Sequence, residues 1–182
     1  MAGLYDPSLL PVLGFGVILV ALAFWLDRRI LHYFSRKGTG SVNKFMKFVS
    51  NSYFIAFMVL LAVLAMLQAG ADFAHTVYHL AVGAGIMAFN VLIKFIVRRD
   101  RPVHMIYFPV IRLPDYSFPS AHSTAVFAVM GMIAGSGAAL KVFWLGFSLL
   151  VAFSRIYLKE HWASDVVSGA VISYLLMTIL SY

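Results

Sequence analysis

The sequence predicts an all-α integral membrane protein with six transmembrane helices and interfacial helical segments. Its 182 residues are 62% hydrophobic and only 12% charged, whereas about a quarter of the residues of soluble domains are charged. Apolar runs long enough to cross a bilayer recur along the chain. The connections between them are short and contain no low-complexity tract, so we expect one domain over residues 1–182.

The first half of the chain is predicted to supply three spans. Residues 11–26 form the first, which the charged triplet Asp27-Arg28-Arg29 is expected to end. Residues 27–47 then mix basic and aromatic side chains, which is typical of interfacial amphipathic helices, although a plain loop explains this composition nearly as well. The second and third spans are predicted at residues 49–67 and 73–97, on either side of a turn at residues 68–72.

The second half begins with a proline-rich loop at residues 103–118. Three further spans are predicted at residues 124–139, 142–153 (at its longest through residue 158) and 166–180. Counting six spans places three polar regions on the same side of the membrane, at residues 27–47, 98–120 and 155–164. We therefore expect the polar side chains of these regions to converge on a site at one membrane face.

Composition excludes several kinds of site and partner. The chain has no cysteine, which excludes disulfides and thiolate metal centres. His75 and His79 are spaced i, i+4, but no carboxylate pair accompanies them, so interfacial positions are expected rather than a metal site. The net charge is +7, and a membrane protein without a soluble face is not expected to bind nucleic acid. The predicted partners are the bilayer and an anionic lipid headgroup, and the oligomeric state is left open.

Three polar segments, at residues 94–102, 119–122 and 154–165, hold the candidate functional residues. They contain Lys94 with Arg101-Pro102, then Pro119-Ser120-Ala121-His122, and last Ser154-Arg155 with His161 and Asp165. In order and spacing they resemble the three-part signature of the type 2 phosphatidic acid phosphatase superfamily, which contains membrane lipid phosphatases and, more distantly, vanadium haloperoxidases. One departure is visible, because the second segment usually reads Pro-Ser-Gly-His. The alanine keeps the backbone N–H, so an anion contact survives unless the site needs a positive φ.

The residue types also suit phosphoryl transfer on physical grounds. Lys94, Arg101 and Arg155 are permanent cations for the non-bridging phosphate oxygens, and the two arginines can bind them bidentately. Ser120 offers a hydroxyl at a helix start, beside backbone N–H groups that favour an anion. The resemblance implies the same phosphate-binding role for these residues and for Ala121.

The histidines are the candidate catalytic groups. His161 and Asp165 are spaced i, i+4, so the carboxylate can orient the imidazole and leave its other nitrogen to attack phosphorus. His122 can protonate the departing oxygen and then deprotonate the attacking water. The resemblance implies these roles for His161, Asp165 and His122. Taken alone each residue has a structural explanation, such as a snorkelling lysine at Lys94, and the three ordered segments together favour the site.

The sequence is therefore interpreted as a membrane lipid phosphatase that uses a phosphohistidine and needs neither metal nor cofactor. Small relatives resemble undecaprenyl-diphosphate, phosphatidylglycerophosphate or phosphatidate, and lipid A phosphatases, and the sequence does not choose between these substrates. A transporter or channel and an inactive lipid-binding relative are the alternatives. Arg98 and Arg99 match no motif position and are interpreted as lipid-surface contacts, and Asp100 and Asp115 are unassigned.

Two arguments about the membrane face of the site disagree. The excess of basic residues around the site favours the cytoplasmic face by the positive-inside rule. The resemblance implies the opposite, because related lipid phosphatases usually face the periplasm, the cell exterior or an organelle lumen. Cations around an opening that collects anionic headgroups have a separate reason to be there. We therefore expect a multi-pass protein of the cell membrane with an extracytoplasmic site.

Overall fold

The computed structural model describes residues 9–35, 40–103 and 116–180, and all regular structure in these residues is helical. The all-α prediction is thus confirmed for this part of the chain. The helices are α1 (Leu9–Ser35), α2 (Gly40–Val49), α3 (Ser52–Gln68), α4 (Phe73–Val97), α5 (Ala121–Met132), α6 (Ala138–Tyr157) and α7 (Ala163–Leu180).

Four of these helices, α1, α4, α6 and α7, are long and apolar enough to cross a membrane. Helices α2 and α3 are bent by 49° relative to one another and qualify together as a fifth candidate. Helix α5 is apolar but has only 12 residues, whereas a span needs about 20. By length and composition, the described residues indicate a multi-pass membrane protein with four or five spans. The predicted count of six is not confirmed.

Helix α1 differs from the prediction at its C-terminal end. The charged triplet Asp27-Arg28-Arg29 was expected to end it, but α1 continues to Ser35. Asp27 is only 5% exposed, and its carboxylate accepts hydrogen bonds from Arg99 and from Ser164. These bonds compensate the charge of Asp27 within the protein, so the helix does not have to end at this residue. The predicted interfacial region, residues 27–47, thus contains the last turns of α1 and most of α2. Residues 38 and 39 of its predicted turn lie outside the described residues.

The turn between α3 and α4 lies where the sequence predicts it. Gly70 has a φ of 88°, a conformation that glycine adopts without steric cost. The carboxylate of Asp72 accepts the N–H of His75 at 2.8 Å and so caps α4. Helix α4 ends at Arg98, which has a left-handed φ of 51° and donates its N–H to the Lys94 carbonyl. The predicted third span and α4 therefore have the same bounds.

Helix α5 is enclosed by its neighbours. Gly169 of α7 lies so close to the start of α5 that a Cβ at this position would be 2.7 Å from the carbonyl oxygen of Ser120. On another side, the indole of Trp144 in α6 is 1% exposed and donates to the carbonyl of Val126 at 2.8 Å. Large apolar side chains of the other helices are exposed on the outside, where a bilayer can cover them. The packing thus fixes the start of α5. Two predicted site residues of the second polar segment, Ala121 and His122, lie there.

Candidate active site

The C-terminal ends of α4 and α6 meet the N-terminal ends of α5 and α7. The three polar segments lie at these ends, so helix packing brings them together although they are far apart in sequence. The positive charges of Lys94, Arg101 and Arg155 all act on the buried imidazole of His161. The predicted convergence on one site is therefore present in the structure.

Arg101 lies beside Nε2 of His161. Its Nη1 is 3.2 Å from His161 Nε2 and also donates to the carbonyl of Glu160 at 2.8 Å. A guanidinium has donors only, so in this contact Nε2 accepts and the ring proton lies on Nδ1. This tautomer leaves the lone pair on Nε2, next to a cation that can bind an anionic substrate.

Asp165 lies on the other side of the imidazole. Its Oδ2 is 3.5 Å from Nδ1 of His161, which is longer than a close hydrogen bond, and it accepts the backbone N–H of Trp162 at 2.9 Å. Helix α7 begins at Ala163, so His161 precedes the helix. The turn that leads into α7, rather than a shared helical face, brings the two side chains together.

The surroundings of His161 favour its neutral form. The side chain is 2% exposed, and this burial lowers its pKa well below 6.5. The charges of Arg101, Arg155 and Lys94 lower the pKa further because they repel an imidazolium. At neutral pH the ring is therefore a free base, the form that can act as a nucleophile.

The start of α5 has the properties of an anion site. Ser120 is fully buried, and among the described residues its hydroxyl has no hydrogen-bond partner. Its backbone N–H donates to the carbonyl of Asp165 at 3.0 Å, which ties the second segment to the third. Ala121 is the first residue of α5, where backbone N–H groups have no acceptor within the helix. A buried donor at the positive end of a helix dipole suits a phosphate oxygen.

Lys94 and Arg155 have protein partners as well as a place near His161. The ammonium of Lys94 donates to the carbonyl of Tyr116 at 2.9 Å. Arg155 forms an ion pair with Glu160, and both residues are about 95% buried. Glu160 is the only glutamate of the chain and matches none of the motif positions. These partners hold the two cations in place.

His122 has a partner that the sequence did not indicate. Its Nε2 lies 3.3 Å from the hydroxyl of Ser52, the first residue of α3. No motif position covers Ser52, which lies 70 positions before His122 in the sequence. The contact fixes the ring of His122 at the edge of the site.

The interpretation of Arg99 as a lipid-surface contact is wrong. Its guanidinium points inward and donates to Asp27 and to Asp165, at 2.7 Å each. An acidic residue within an apolar helical run is costly unless it is paired, and Asp27 was the one sequence signal for this contact. Arg98, in contrast, is exposed, and its side chain donates to the carbonyl of Phe95. Asp115 lies outside the described residues.

His75 and His79 lie close together near the start of α4, with ring centroids 4.3 Å apart. His79 is 4% exposed, and its Nδ1 contacts the carbonyl of His75 at 2.9 Å. It is therefore a buried residue bonded to its own helix. Within residues 9–35, 40–103 and 116–180, no three histidine, aspartate or glutamate side chains are grouped to hold a metal ion.

The fold and the site define a helical membrane protein in which a buried histidine, flanked by a carboxylate, lies among three cations. The chain belongs to the PAP2 superfamily, whose family model matches residues 75–182. The resemblance found in the sequence is thus confirmed. Asp27 and Ser52 lie outside the matched residues.

Similar proteins have phosphatase names. Over 139 residues the chain is 26% identical to undecaprenyl-diphosphatase BcrC of Bacillus subtilis, covering 74% of this chain and 71% of that protein. Over 97 residues it is 39% identical to decaprenylphosphoryl-5-phosphoribose phosphatase of Mycolicibacterium smegmatis, covering 50% of this chain and 51% of that protein. The first relative thus matches along most of its length and the second along about half.

Two crystal structures share the fold. The PAP2 type phosphatidylglycerolphosphate phosphatase of Bacillus subtilis superposes with a TM-score of 0.70 at 20% identity, covering 93% of this chain and 92% of the other. Aquifex aeolicus LpxE superposes with a TM-score of 0.65 at 17% identity, covering 85% of this chain and 94% of the other. At these identities the likeness establishes the fold.

Proposed function

We propose that this protein is an integral membrane lipid phosphatase that hydrolyses a phosphomonoester or diphosphate headgroup through a phosphohistidine at His161. Membership of the PAP2 superfamily and the phosphatase names of its relatives support the lipid phosphatase activity. The observation that carries the mechanism is the position of His161 Nε2, 3.2 Å from Arg101 and within range of two further cations.

In the first step, the lone pair of His161 Nε2 attacks phosphorus. An N–P bond forms while the P–O bond to the leaving group breaks, and the electron pair of that bond stays on the departing oxygen. His122 gives this oxygen a proton. Asp165 stabilises the positive charge that the imidazole acquires.

In the second step, His122 takes a proton from a water molecule, which attacks the phosphohistidine. The N–P bond breaks, its electron pair returns to Nε2, and inorganic phosphate is released. Throughout both steps Lys94, Arg101 and Arg155 hold the non-bridging oxygens, with the hydroxyl of Ser120 and the backbone N–H of Ala121. Charge stabilisation and positioning provide most of the catalysis in phosphoryl transfer.

The reaction is proposed to need no metal ion and no cofactor. The usual task of Mg²⁺ in phosphoryl transfer is to neutralise charge on the phosphate oxygens. Three fixed cations around His161 can perform it. Mg²⁺ binds through carboxylates, and the two carboxylates next to His161 in the described part of the chain, Asp165 and Glu160, are already bonded to arginines.

The substrate is proposed to be a lipid phosphate whose headgroup lies at the membrane surface. Candidates are undecaprenyl diphosphate, phosphatidylglycerophosphate or phosphatidate, and a lipid A phosphate. The names of the first relative and of the first structural neighbour support the first two candidates. The protein is proposed to lie in the cell membrane with its site on the extracytoplasmic face.

Phosphate release from a panel of these lipids tests the proposal, with purified protein assayed in EDTA. We expect turnover of at least one lipid in the chelator, inhibition by vanadate, and acid-labile phosphate on the wild-type protein that is absent from His161→Ala. Activity that vanishes in EDTA and returns with Mg²⁺ contradicts the metal-free mechanism. Phosphate trapped on His161→Ala contradicts the nucleophile.

A further inference from the structure

A charged cluster adjoins Oδ1 of Asp165, whereas His161 lies on the Oδ2 side of this carboxylate. The guanidinium of Arg99 bridges two acids, with Nη1 2.7 Å from Asp165 Oδ1 and Nη2 2.7 Å from Asp27 Oδ2. The hydroxyl of Ser164 accepts from Arg99 Nη1 at 2.6 Å and donates to Asp27 Oδ2 at 2.6 Å. The backbone N–H of Ser164 donates to Asp27 Oδ1 at 2.9 Å. Each carboxylate oxygen of Asp27 and Asp165 thus has a hydrogen-bond donor.

These bonds, rather than close packing, set the position of Arg99. A cavity of about 410 Å³ adjoins its side chain, which is 23% exposed. The guanidinium carbon lies 5.0 Å and 5.2 Å from the ring centroids of Phe24 and Trp162. The two rings flank the guanidinium, and the carboxylates then fix its orientation within its plane. The fork geometry of arginine suits such a bridge, which a lysine cannot reproduce.

The cluster fixes the orientation of Asp165. Arg99 holds Oδ1, and the backbone N–H of Trp162 holds Oδ2 at 2.9 Å. With both oxygens held, the carboxylate cannot rotate, and Oδ2 remains on the side of His161 Nδ1 at 3.5 Å. The imidazole therefore faces a carboxylate whose position is set before any substrate binds.

Asp27 comes from α1, far from the other members in sequence. If its only task were to dock α1, apolar side chains would serve, because a buried ion pair is often no more stabilising than an apolar replacement. Its carboxylate instead bonds to Arg99, which is a partner of Asp165, and to Ser164, which directly precedes Asp165 in the sequence. Without Asp27, the positive charge of Arg99 would weaken the attraction between the Asp165 carboxylate and His161. Asp27 supplies a negative charge that compensates Arg99.

We propose that Asp27 and Arg99 are positioning residues for the reaction, which act on His161 through Asp165. This inference rests on the proposed role of His161 as the nucleophile. It makes α1, which lies outside the part of the chain matched by the family model, a component of the active site.

The test compares Asp27→Asn, Arg99→Gln and the double variant with Arg28→Gln, an exposed neighbour on α1 outside the cluster. We expect kcat to fall by about 10- to 100-fold in both single variants with little change in KM, because a small displacement of a catalytic group reduces the rate by such factors. The double variant should resemble Arg99→Gln, because Asp27 acts through Arg99. Arg28→Gln should keep the wild-type kcat. Melting temperatures in detergent record any loss of folding.

The pH dependence of kcat/KM separates positioning from structural support. Loss of the Arg99 cation strengthens the hold of Asp165 on an imidazolium, so the acid limb should move to higher pH. Asp27→Asn leaves the Arg99 charge uncompensated, so the limb should move to lower pH. A wild-type kcat in Asp27→Asn would overturn the proposal. So would a double variant in which the two losses of kcat multiply while the acid limb of kcat/KM stays in place. A wild-type protein without phosphatase activity would instead overturn the proposed function.

Discussion

Nη1 of Arg101 lies 3.2 Å from Nε2 of His161, so a permanent cation adjoins the atom proposed to attack phosphorus. The same cation can bind a phosphate oxygen and repel a proton from the nucleophile. Substrate binding and nucleophile activation thus depend on one contact. This double role gives the site a testable pH dependence.

We predict that the acid limb of kcat/KM lies below pH 6.5. Burial and three cations lower the pKa of His161 below that value, so the ring stays neutral and reactive until the pH falls past the lowered pKa. In Arg101→Gln one cation is lost, and the limb should move to higher pH. Rate profiles of both proteins with one substrate check this, because the ionisation of the substrate is common to both. A limb that stays in place or moves to lower pH in the variant contradicts the prediction.

His122→Ala should slow the reaction most for poor leaving groups. The residue is proposed to protonate the departing oxygen, and general acid catalysis contributes about 10²- to 10⁴-fold. An oxygen with a low pKa leaves without a proton, so a series of phosphate esters with leaving groups of different pKa measures the effect. Equal losses across the series would show that His122 does not supply the proton.

Gly169→Ala should reduce both stability and activity. The new methyl group would lie 2.7 Å from the carbonyl oxygen of Ser120, and such overpacking costs about 1–3 kcal/mol. The start of α5 must then shift with its phosphate-binding groups. Gly146→Ala in α6 is the control, since its Cβ meets nothing within 4 Å and alanine favours the helix by about 1 kcal/mol. Melting temperature and kcat/KM are compared, and unchanged values in Gly169→Ala would refute the close contact.

Cysteine labelling can establish which face holds the site. The chain has no cysteine, and Ser41 and Gln68 are both exposed, the first on the side of the site and the second at the far end of α3. In intact cells an impermeant maleimide should label Ser41→Cys and spare Gln68→Cys. The reverse pattern would mean that the site faces the cytoplasm, as the positive-inside rule indicates.

The sequence predicted best what is encoded locally. The bounds of α4 agree because an apolar run lies between a glycine turn and a charged end, and both signals lie within a few residues of the helix. The candidate site residues could be chosen because their spacing within three short segments is distinctive. The structure then places Arg101 3.2 Å from one nitrogen of His161 and Asp165 3.5 Å from the other.

What the sequence did not predict depends on distant pairs. The end of α1 was misplaced because the partner of Asp27, Ser164, lies 137 positions away, and a charge reads as a helix end until such a partner is known. The contact between Ser52 and His122 spans 70 positions and has no local signal. The count of spans was not confirmed because the apolar run at residues 124–139 was expected to form one span, whereas α5 ends at Met132.

The shortness of α5 has a consequence for the residues that follow it. Its 12 residues measure about 18 Å at 1.5 Å per residue, against a hydrocarbon layer of about 30 Å. A helix of this length cannot reach from one membrane surface to the other. Helix α6 carries Arg155 of the same site at its end and has 20 residues, so it measures about 30 Å. With the start of α5 beside the end of α6, the other end of α5 lies about 12 Å short of the far surface. Residues 133–137 must cover this depth, and their backbone polar groups need partners within the protein because the hydrocarbon layer offers none. The Ser136 N–H donates to the Ile133 carbonyl and the Lys141 ammonium to the Ala134 carbonyl.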